Sequence, residues 1–206
     1  MHVLLINGSP HEKGCTYTAL SLVAGELNAA GITTEILNVG TKPVGGCIGC
    51  GGCAKGNGCV FGGVVNEAIE KAKTADAFVF GTPVHYASAS GNMTSFMDRL
   101  AYAGGKYLAY KPAAVCCSAR RAGTTSTLDQ LVKYPQFFHM PLVSGSYWPM
   151  VHGSNPEQVL QDAEGCAVMQ ELGRNMAWLL RCIEAGKAAG IDHPQNPPRP
   201  MTNFIR

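Results

Sequence analysis

Short apolar runs alternate with stretches of helical periodicity along this chain of 206 residues. The run from Val3 to Ile6 is apolar throughout, as expected of a β-strand that is buried on both faces. From Thr16 to Ala30, apolar side chains recur at helical spacing, and Gly31 follows where a C-terminal cap belongs. A chain that repeats this pattern covers its strands with helices on both sides, which predicts a parallel sheet.

The same alternation predicts the rest of the chain. Four further strands are expected, over residues 33–39, 77–80, 113–117 and 141–143. Helices are expected over residues 64–73, 93–100 and 123–133 and from residue 155 onward. Five strands of this kind suit the flavodoxin-like order 2-1-3-4-5, an α/β three-layer sandwich. We therefore expect a single domain over residues 1–190, with a cysteine-rich loop at 45–60 after strand two, and an extended arm over 191–206.

The composition excludes several classes of protein. Hydrophobic residues make up 46% of the chain and charged residues 15%, so the chain can bury enough apolar surface to fold. No stretch of about 18 apolar residues is present, and no membrane span is expected. The net charge is +2 and the longest basic run is Arg120-Arg121, which argues against nucleic acid as a partner. The apolar start is too short for a signal peptide, and we expect a cytoplasmic protein.

The unusual loops all follow predicted strands. Residues 7–10 end strand one, the cysteine-rich loop follows strand two, residues 81–86 end strand three and residues 118–123 end strand four. In an open parallel sheet, ligands bind beyond the carboxyl ends of the strands. These loops are therefore expected to meet around one ligand site.

The first of these loops has the features of an anion site. Ser9, Thr16 and Thr18 supply hydroxyl groups, and the helix that follows offers free N–H groups and a positive dipole end. The loop is neither a Walker motif nor a G-x-G-x-x-G fingerprint, so a monophosphate is a better ligand than a dinucleotide. An ordinary polar helix cap is the alternative. Cys15, beside the helix start, is either a nucleophile with a depressed pKa or a packing residue.

Four motifs in this order carry a resemblance to a known family: GSPHEKGCTYT, CIGCGGC, GTPVHYASASGNMTSFMDR and SARRAGTT. Together they resemble the NADPH-dependent FMN reductase superfamily, and within it the iron–sulfur flavoprotein branch. The resemblance extends over nearly the whole chain, including its last five residues. It implies a flavodoxin-like fold, a bound FMN and a homo-oligomer, either a homodimer or a homotetramer.

The resemblance also implies three groups of FMN-binding residues, one on each loop. The group around the phosphate comprises Ser9, Pro10, Cys15, Thr16 and Thr18. The group lining the isoalloxazine ring comprises Pro83, Val84, His85 and Tyr86. The group along the other edge of the flavin comprises Ser118, Arg120 and Gly123. No protein acid or base is expected, because hydride transfer takes place at the flavin itself.

Two further pairs of residues carry open interpretations. Asp98-Arg99 matches a family pattern, and we interpret it as an ion pair that positions its helix. Tyr147 and Trp148 follow the predicted fifth strand, where they either wall a substrate pocket or close the core.

Four of the nine cysteines fall within thirteen residues, with the spacing Cys47-x2-Cys50-x2-Cys53-x5-Cys59. Clustered thiols in a reducing compartment indicate metal or redox chemistry rather than disulfides. The resemblance implies that they hold a [4Fe–4S] cluster close to the flavin, while zinc, unligated thiols and plain core cysteines remain alternatives. Seven glycines in the surrounding loop would let the backbone wrap a cluster.

These observations leave two functions of different kinds. The first is an FMN-dependent oxidoreductase that passes electrons from NAD(P)H to a small acceptor of the quinone, nitro, azo or flavin type. The second is an iron–sulfur flavoprotein that transfers electrons between a ferredoxin-like donor, a [4Fe–4S] cluster and FMN. A flavin-free zinc module is a more distant third.

Overall fold

The computed structural model describes residues 1–202, in which a six-stranded sheet lies between two layers of helices. The strands are β1 (His2–Asn7), β2 (Thr33–Asn38), β3 (Ala77–His85), β4 (Ser88–Ala89), β5 (Ala113–Ala119) and β6 (Met150–His152). The α-helices are α1 (Cys15–Ala29), α2 (Val64–Thr74), α3 (Gly91–Gly104), α4 (Thr124–Phe137), α5 (Pro156–Gln161) and α6 (Ala163–Ala188). Short 3-10 helices span Gly52–Lys55 and Gly105–Tyr107.

The sheet has the order β2-β1-β3-β5-β6, and all of these neighbours run parallel. The register places Ile6 opposite Leu37 on one side and Phe80 on the other. Strand β4 pairs antiparallel with the end of β3 and lies off this path. The five parallel strands therefore follow the predicted order 2-1-3-4-5, and the prediction of a flavodoxin-like α/β fold is confirmed.

Alternate side chains of the central strands enter two separate hydrophobic cores. Phe78 and Phe80 of β3 pack on one face of the sheet with Phe96 of α3. Val79, between them in sequence, packs on the other face with Leu20 of α1 and residues of α6. This alternation explains the continuous apolar runs, because a strand covered on both faces buries every side chain.

The predicted fifth strand at 141–143 is wrong in position. This segment makes a single bridge, between Leu142 and Ala113, while the regular pairing to β5 is made later by β6. Between the two contacts the chain leaves the sheet edge and is held on α6. The Ser146 hydroxyl and backbone N–H donate to the Glu171 carboxylate at 2.6 and 2.8 Å, and Asn175 donates to the Ser144 carbonyl.

This excursion changes the position of two aromatic side chains. Tyr147 and Trp148 precede β6 instead of following the fifth strand, and both are exposed. Their rings pack edge to face with centroids 4.7 Å apart. They therefore do not close the hydrophobic core.

The predicted last helix is two helices. The Asn155 side chain accepts from the Gln158 N–H and caps α5, as its place before a proline suggests. Asp162 ends α5 and caps α6, accepting from the N–H groups of Gly165 and His152. No α-helix or strand follows Ala188 within the described residues, and residues 203–206 of the predicted arm lie outside them. Among residues 1–202, no helix has the length and apolar character needed to cross a membrane.

Candidate functional site

Three loops meet at the carboxyl ends of the central strands, and hydrogen bonds join them. The Gly8 N–H donates to the Gly81 carbonyl at 2.8 Å, and the Ser90 hydroxyl donates to the Gly8 carbonyl at 2.8 Å. The hydroxyls of Thr16 and Ser118 lie 2.8 Å apart, both buried. The ends of β1, β3 and β5 thus form one continuous surface, where the sequence predicted a ligand site.

The first loop is shaped by Asn7, a buried polar residue that was not among the predicted site residues. Its side-chain oxygen accepts from the Ser9 N–H at 3.1 Å, and its amide donates to the Asn38 side chain and to the Glu12 carbonyl. Ser9 in turn accepts from the His11 N–H. Asn7 therefore fixes the turn that carries Ser9 and Pro10. A polar side chain that ends a wholly apolar strand is the signal that could have identified it.

Helix α1 begins behind this turn with no side chain bonded to its first N–H groups. Its N-cap is Gly14, and the N-terminus opens on a groove of about 530 Å³ between residues 10–15 and residues 154–156. Free N–H groups and the helix dipole make such an end an anion site. The predicted hydroxyls are already bonded within the protein, since Thr18 donates to the Gly14 carbonyl and Thr16 pairs with Ser118.

Cys15 does not have the environment of a nucleophile. Its thiol contacts the Gly153 carbonyl at 3.6 Å, and burial raises the pKa of this thiol above its ordinary value. A raised pKa leaves less thiolate at neutral pH, and the thiolate is the reactive form. Of the two readings of Cys15, the structure therefore supports the packing residue.

The predicted ring-binding residues lie on the hairpin of β3 and β4. Pro83 and Val84 are half-buried, while His85 and Tyr86 are exposed. Tyr86 and Ala87 form the two-residue turn, and both have positive φ, 49° and 59°. This is the arrangement of a type I′ turn, which usually takes Asn and Gly. Backbone strain of this kind occurs mainly at functional sites.

Helix α4 holds this strained hairpin in place. The Ser126 hydroxyl donates to the Ala87 carbonyl at 2.7 Å. The Gln130 side-chain oxygen accepts from the Ala89 N–H and the Ser88 hydroxyl. These two residues were not predicted, because nothing in the sequence separates them from ordinary exposed polar positions on a helix.

Gly123 lies directly against the same turn. Its φ is +93°, and a Cβ at this position would lie 2.6 Å from the Cα of Ala87 and 2.9 Å from a methyl group of Val84. Only glycine fits there, so the loop after β5 and the hairpin after β3 approach as closely as backbone permits. Arg120 and its neighbour Arg121 are exposed on the same loop.

The four clustered cysteines line one cavity of about 260 Å³, and none of them forms a disulfide. Apolar side chains form much of its wall: Ile48, Val60, Phe61, Tyr102 and Ala103. Within residues 1–202, no three His, Cys, Asp or Glu side chains lie close enough together to hold one metal ion. The structure therefore brings the four predicted metal ligands to one cavity, but no three of them lie close enough together to share a single ion.

Arg99 of α3 faces this cavity, and its expected ion pair with Asp98 is wrong. Asp98 accepts a hydrogen bond from the Tyr134 hydroxyl instead. The Arg99 guanidinium donates from Nε to the Cys59 sulfur at 3.2 Å, and from its two other nitrogens to the carbonyls of Gly45 and Gly62 at 3.3 and 3.0 Å. Adjacent residues on a helix point in different directions, which is why the two side chains take different partners.

Two asparagines also anchor the cysteine-rich loop. Asn92 accepts from the Val44 N–H and donates to the carbonyls of Gly40 and Lys42. Asn66 accepts from the Cys59 N–H at 2.8 Å and donates to the carbonyl of the same residue at 3.0 Å. The loop is thus fixed to α2 and α3 at its start and at its last cysteine.

Comparison with known proteins gives consistent results. Residues 1–155 match the family model of NADPH-dependent FMN reductases. The chain is 28% identical over 192 residues to an iron–sulfur flavoprotein of Methanocaldococcus jannaschii, covering 89% of this chain and 100% of the relative. It is 30% identical over 196 residues to an iron–sulfur flavoprotein of Archaeoglobus fulgidus, covering 91% of this chain and 96% of the relative.

Solved structures show the same fold at low sequence identity. RosB, in a structure with bound 8-demethyl-8-formylriboflavin-5'-phosphate, has a TM-score of 0.68 and 15% identity, covering 100% of this chain and 94% of RosB. A flavodoxin from the domain Archaea has a TM-score of 0.60 and 12% identity, and the match covers 88% of this chain and 99% of the flavodoxin.

Proposed function

The chain belongs to the NADPH-dependent FMN reductase family, and we propose that its cysteine-rich loop adds an iron–sulfur cluster to the family's flavin chemistry. The protein is a flavin-dependent oxidoreductase. In the proposed function it transfers electrons between a ferredoxin-like one-electron donor, a [4Fe–4S] cluster and FMN. The observation that carries the proposal is that four cysteines line one apolar cavity which a buried arginine faces.

The surface at the strand ends suits FMN. A monophosphate matches the open N-terminus of α1, where backbone N–H groups and the helix dipole both favour negative charge. Beyond it, the close contact between Gly123 and the hairpin gives a rigid edge for a planar ring. Pro83 and Val84 supply apolar surface there, and Arg120 supplies a positive charge that suits a reduced, anionic flavin.

The cavity suits an iron–sulfur cluster by the chemistry of its donors. Soft thiolate ligands select iron–sulfur clusters, zinc or copper(I), and the ligands here are all cysteines on one loop. Zinc sites of this class commonly use two Cys-x2-Cys pairs separated by a longer segment, a spacing that this loop lacks. The two archaeal relatives that match about nine-tenths of this chain are both named iron–sulfur flavoproteins.

In this mechanism the protein supplies binding, orientation and electrostatics. FMN, when bound, exchanges electrons in pairs or singly, and a cluster exchanges them singly. Asn7 holds the phosphate loop, and the strained turn at Tyr86 and Ala87 defines where the ring edge lies. Asn66 and Arg99 hold Cys59 in place at the wall of the cysteine cavity. No proton transfer by a side chain is required for any of these roles.

A second function is direct reduction of FMN by NAD(P)H, followed by transfer to a small acceptor. The observation that favours it is the pair of exposed arginines, Arg120 and Arg121, which form no ion pair within residues 1–202. Exposed guanidinium groups are well suited to bind the phosphates of a nicotinamide cofactor. In this second function, the electron acceptor would be a small molecule of the quinone, nitro, azo or flavin type.

We also propose that a second copy of the chain covers the cysteine cavity in a homodimer or homotetramer. Ile48, Val60, Phe61 and Tyr102 are between 55% and 74% exposed, and they form one apolar patch around the cavity. Apolar patches of this kind mark interaction sites. Light scattering is expected to give two or four chains, and a monomer at micromolar concentration would contradict this assembly.

The test begins with anaerobic purification of the protein and of a Cys50→Ser variant, with Cys182→Ser as a matched control because Cys182 is an exposed thiol on α6. We expect a flavin spectrum with a broad brown shoulder and about four iron and four sulfide per chain, lost in Cys50→Ser and kept in the control. Iron-free protein with zinc, or with four free thiols, would refute the cluster. Rapid NAD(P)H oxidation by Cys50→Ser would establish the second function.

A further inference from the structure

Among residues 1–202, Arg99 is the only positively charged residue that lines the cysteine cavity. We propose that Arg99 is a positioning residue that fixes the cysteine-rich loop around the cavity lined by its four cysteines, and that it would raise the reduction potential of a cluster bound there. The second part of this inference rests on the proposed function. The first part concerns the protein alone and can be tested without a cluster.

The positioning role follows from the three hydrogen bonds of the guanidinium. They reach Gly45 at the start of the loop, Cys59 at its fourth cysteine, and Gly62 just before α2. The guanidinium group of one side chain on α3 thus joins both ends of the eighteen-residue segment 45–62 and the sulfur of Cys59. Arginine is suited to this because its planar group presents several donors in a fixed geometry, which the single ammonium of lysine cannot reproduce.

The charge of Arg99 has no carboxylate partner within the described residues. The side chain is only 6% exposed, and its partners are two carbonyl oxygens and a sulfur, with the Phe61 ring 5.6 Å from the guanidinium carbon. Asp98, the nearest acid in sequence, is directed to Tyr134. A buried charge is costly unless an opposite charge compensates it, which indicates that the compensating anion belongs in the cavity.

A cluster with four thiolate ligands supplies that anion. Each one-electron reduction adds one negative charge to the cluster, and the charge of Arg99 favours the more negative state. The N–H group pointing at Cys59 acts in the same direction, because hydrogen bonds to the sulfurs of such clusters set their potential. Removing the guanidinium is therefore expected to lower the reduction potential.

Arg99→Gln removes the charge, and Arg99→Lys keeps the charge but loses the fork. Arg174→Gln is the control, since this exposed arginine pairs with Glu26 on the opposite helical layer. The first measurement is trypsin cleavage at Lys55, an exposed lysine inside the loop. With iron removed from every sample, we expect cleavage at least tenfold faster in both Arg99 variants and unchanged in the control.

The second measurement is a redox titration of the reconstituted proteins with dithionite, followed by electron paramagnetic resonance. In Arg99→Gln we expect the one-electron equilibrium to shift at least tenfold toward the oxidised cluster, a potential lower by about 59 mV. In Arg99→Lys we expect a smaller shift together with a loss of iron content. If Arg99→Gln does not fold, Arg99→Lys decides the matter alone through its cleavage rate and iron content.

The outcomes separate this inference from the proposed function. Cleavage at the wild-type rate in Arg99→Lys refutes the positioning role, whether or not a cluster exists. Wild-type potential in a folded, fully loaded Arg99→Gln refutes the electrostatic role. A wild-type protein that binds no iron refutes the proposed cluster and with it the electrostatic role, while faster cleavage in both variants would still support Arg99 as the residue that holds the loop.

Discussion

Replacing Gly123 with alanine tests whether the two loops that border the flavin surface are packed as tightly as the structure has them. An added Cβ would lie 2.6 Å from the Cα of Ala87, 2.9 Å from a methyl group of Val84 and 3.1 Å from the Cβ of Ala87. The nearest of these is a backbone atom, and the Ser126 hydrogen bond holds that backbone in place. The turn therefore cannot give way as a flexible side chain would.

The size of the effect follows from two contributions. The positive φ of Gly123 costs an L-residue about 1–2 kcal/mol, and inserting a methyl group into a packed site costs about 1–3 kcal/mol more. Alanine also restricts the unfolded chain, which returns about 0.4–1 kcal/mol. We expect the free energy of unfolding to fall by about 1–4 kcal/mol, a large part of the roughly 5–15 kcal/mol that stabilises a domain.

Urea denaturation followed by circular dichroism measures this change, with Gly25→Ala as the control. Gly25 lies within α1 with no atom within 4 Å of an added Cβ, so alanine there is expected to stabilise by about 0.5–1 kcal/mol. We also expect Gly123→Ala to weaken FMN binding. Wild-type stability in Gly123→Ala would refute the packing argument.

Two further predictions concern titratable groups. Hydrogen bonds from the Ser146 hydroxyl and N–H lower the pKa of the Glu171 carboxyl. This contact therefore stabilises the protein fully above the ordinary glutamate pKa of about 4.3, and the stabilisation is lost as the pH falls through the lowered pKa. The fluorescence of Trp148 in a Trp178→Phe background should change as the contact is released, and the same pH-dependent change in Glu171→Gln would contradict the assignment to Glu171. Burial raises the pKa of the Cys117 thiol to about 12 and that of Cys116 further, so neither should react with iodoacetamide at pH 8 in the folded protein, as mass spectrometry of the alkylated peptides would show.

The sequence predicted the elements whose side chains repeat with a strict period. Continuous apolar runs identified β1, β3 and β5, and helical spacing identified α1 and α2, because burial on both faces or on one stripe leaves a direct record in residue type. The positions of the loops with the predicted ligand residues followed, since parallel strands carry these loops to one edge of the sheet. Motif resemblance then indicated which residues of those loops bind FMN, and these binding roles stay predictions.

Elements that depend on local hydrogen bonds could not be predicted. The hairpin at Tyr86 and Ala87 has neither glycine nor asparagine in its turn, so propensity argues against it, and contacts from α4 help to hold it. The fifth strand was expected too early because residues 141–143 are apolar and do touch β5. The excursion that delays the strand depends on Glu171, which lies 25 residues after its partner Ser146 in sequence.

Asp98 and Arg99 illustrate the same limit where it bears on function. Opposite charges side by side suggest an ion pair, yet neighbouring positions on a helix diverge by about 100°, and each side chain meets a different element. Asp98 reaches α4 through Tyr134, while Arg99 reaches the cysteine-rich loop. The pattern alone could not show that the arginine is left without a carboxylate at a cavity lined by thiols. That arrangement is costly in a protein whose cavity holds nothing negative, and so it argues for an anionic group among the four cysteines more directly than their spacing does.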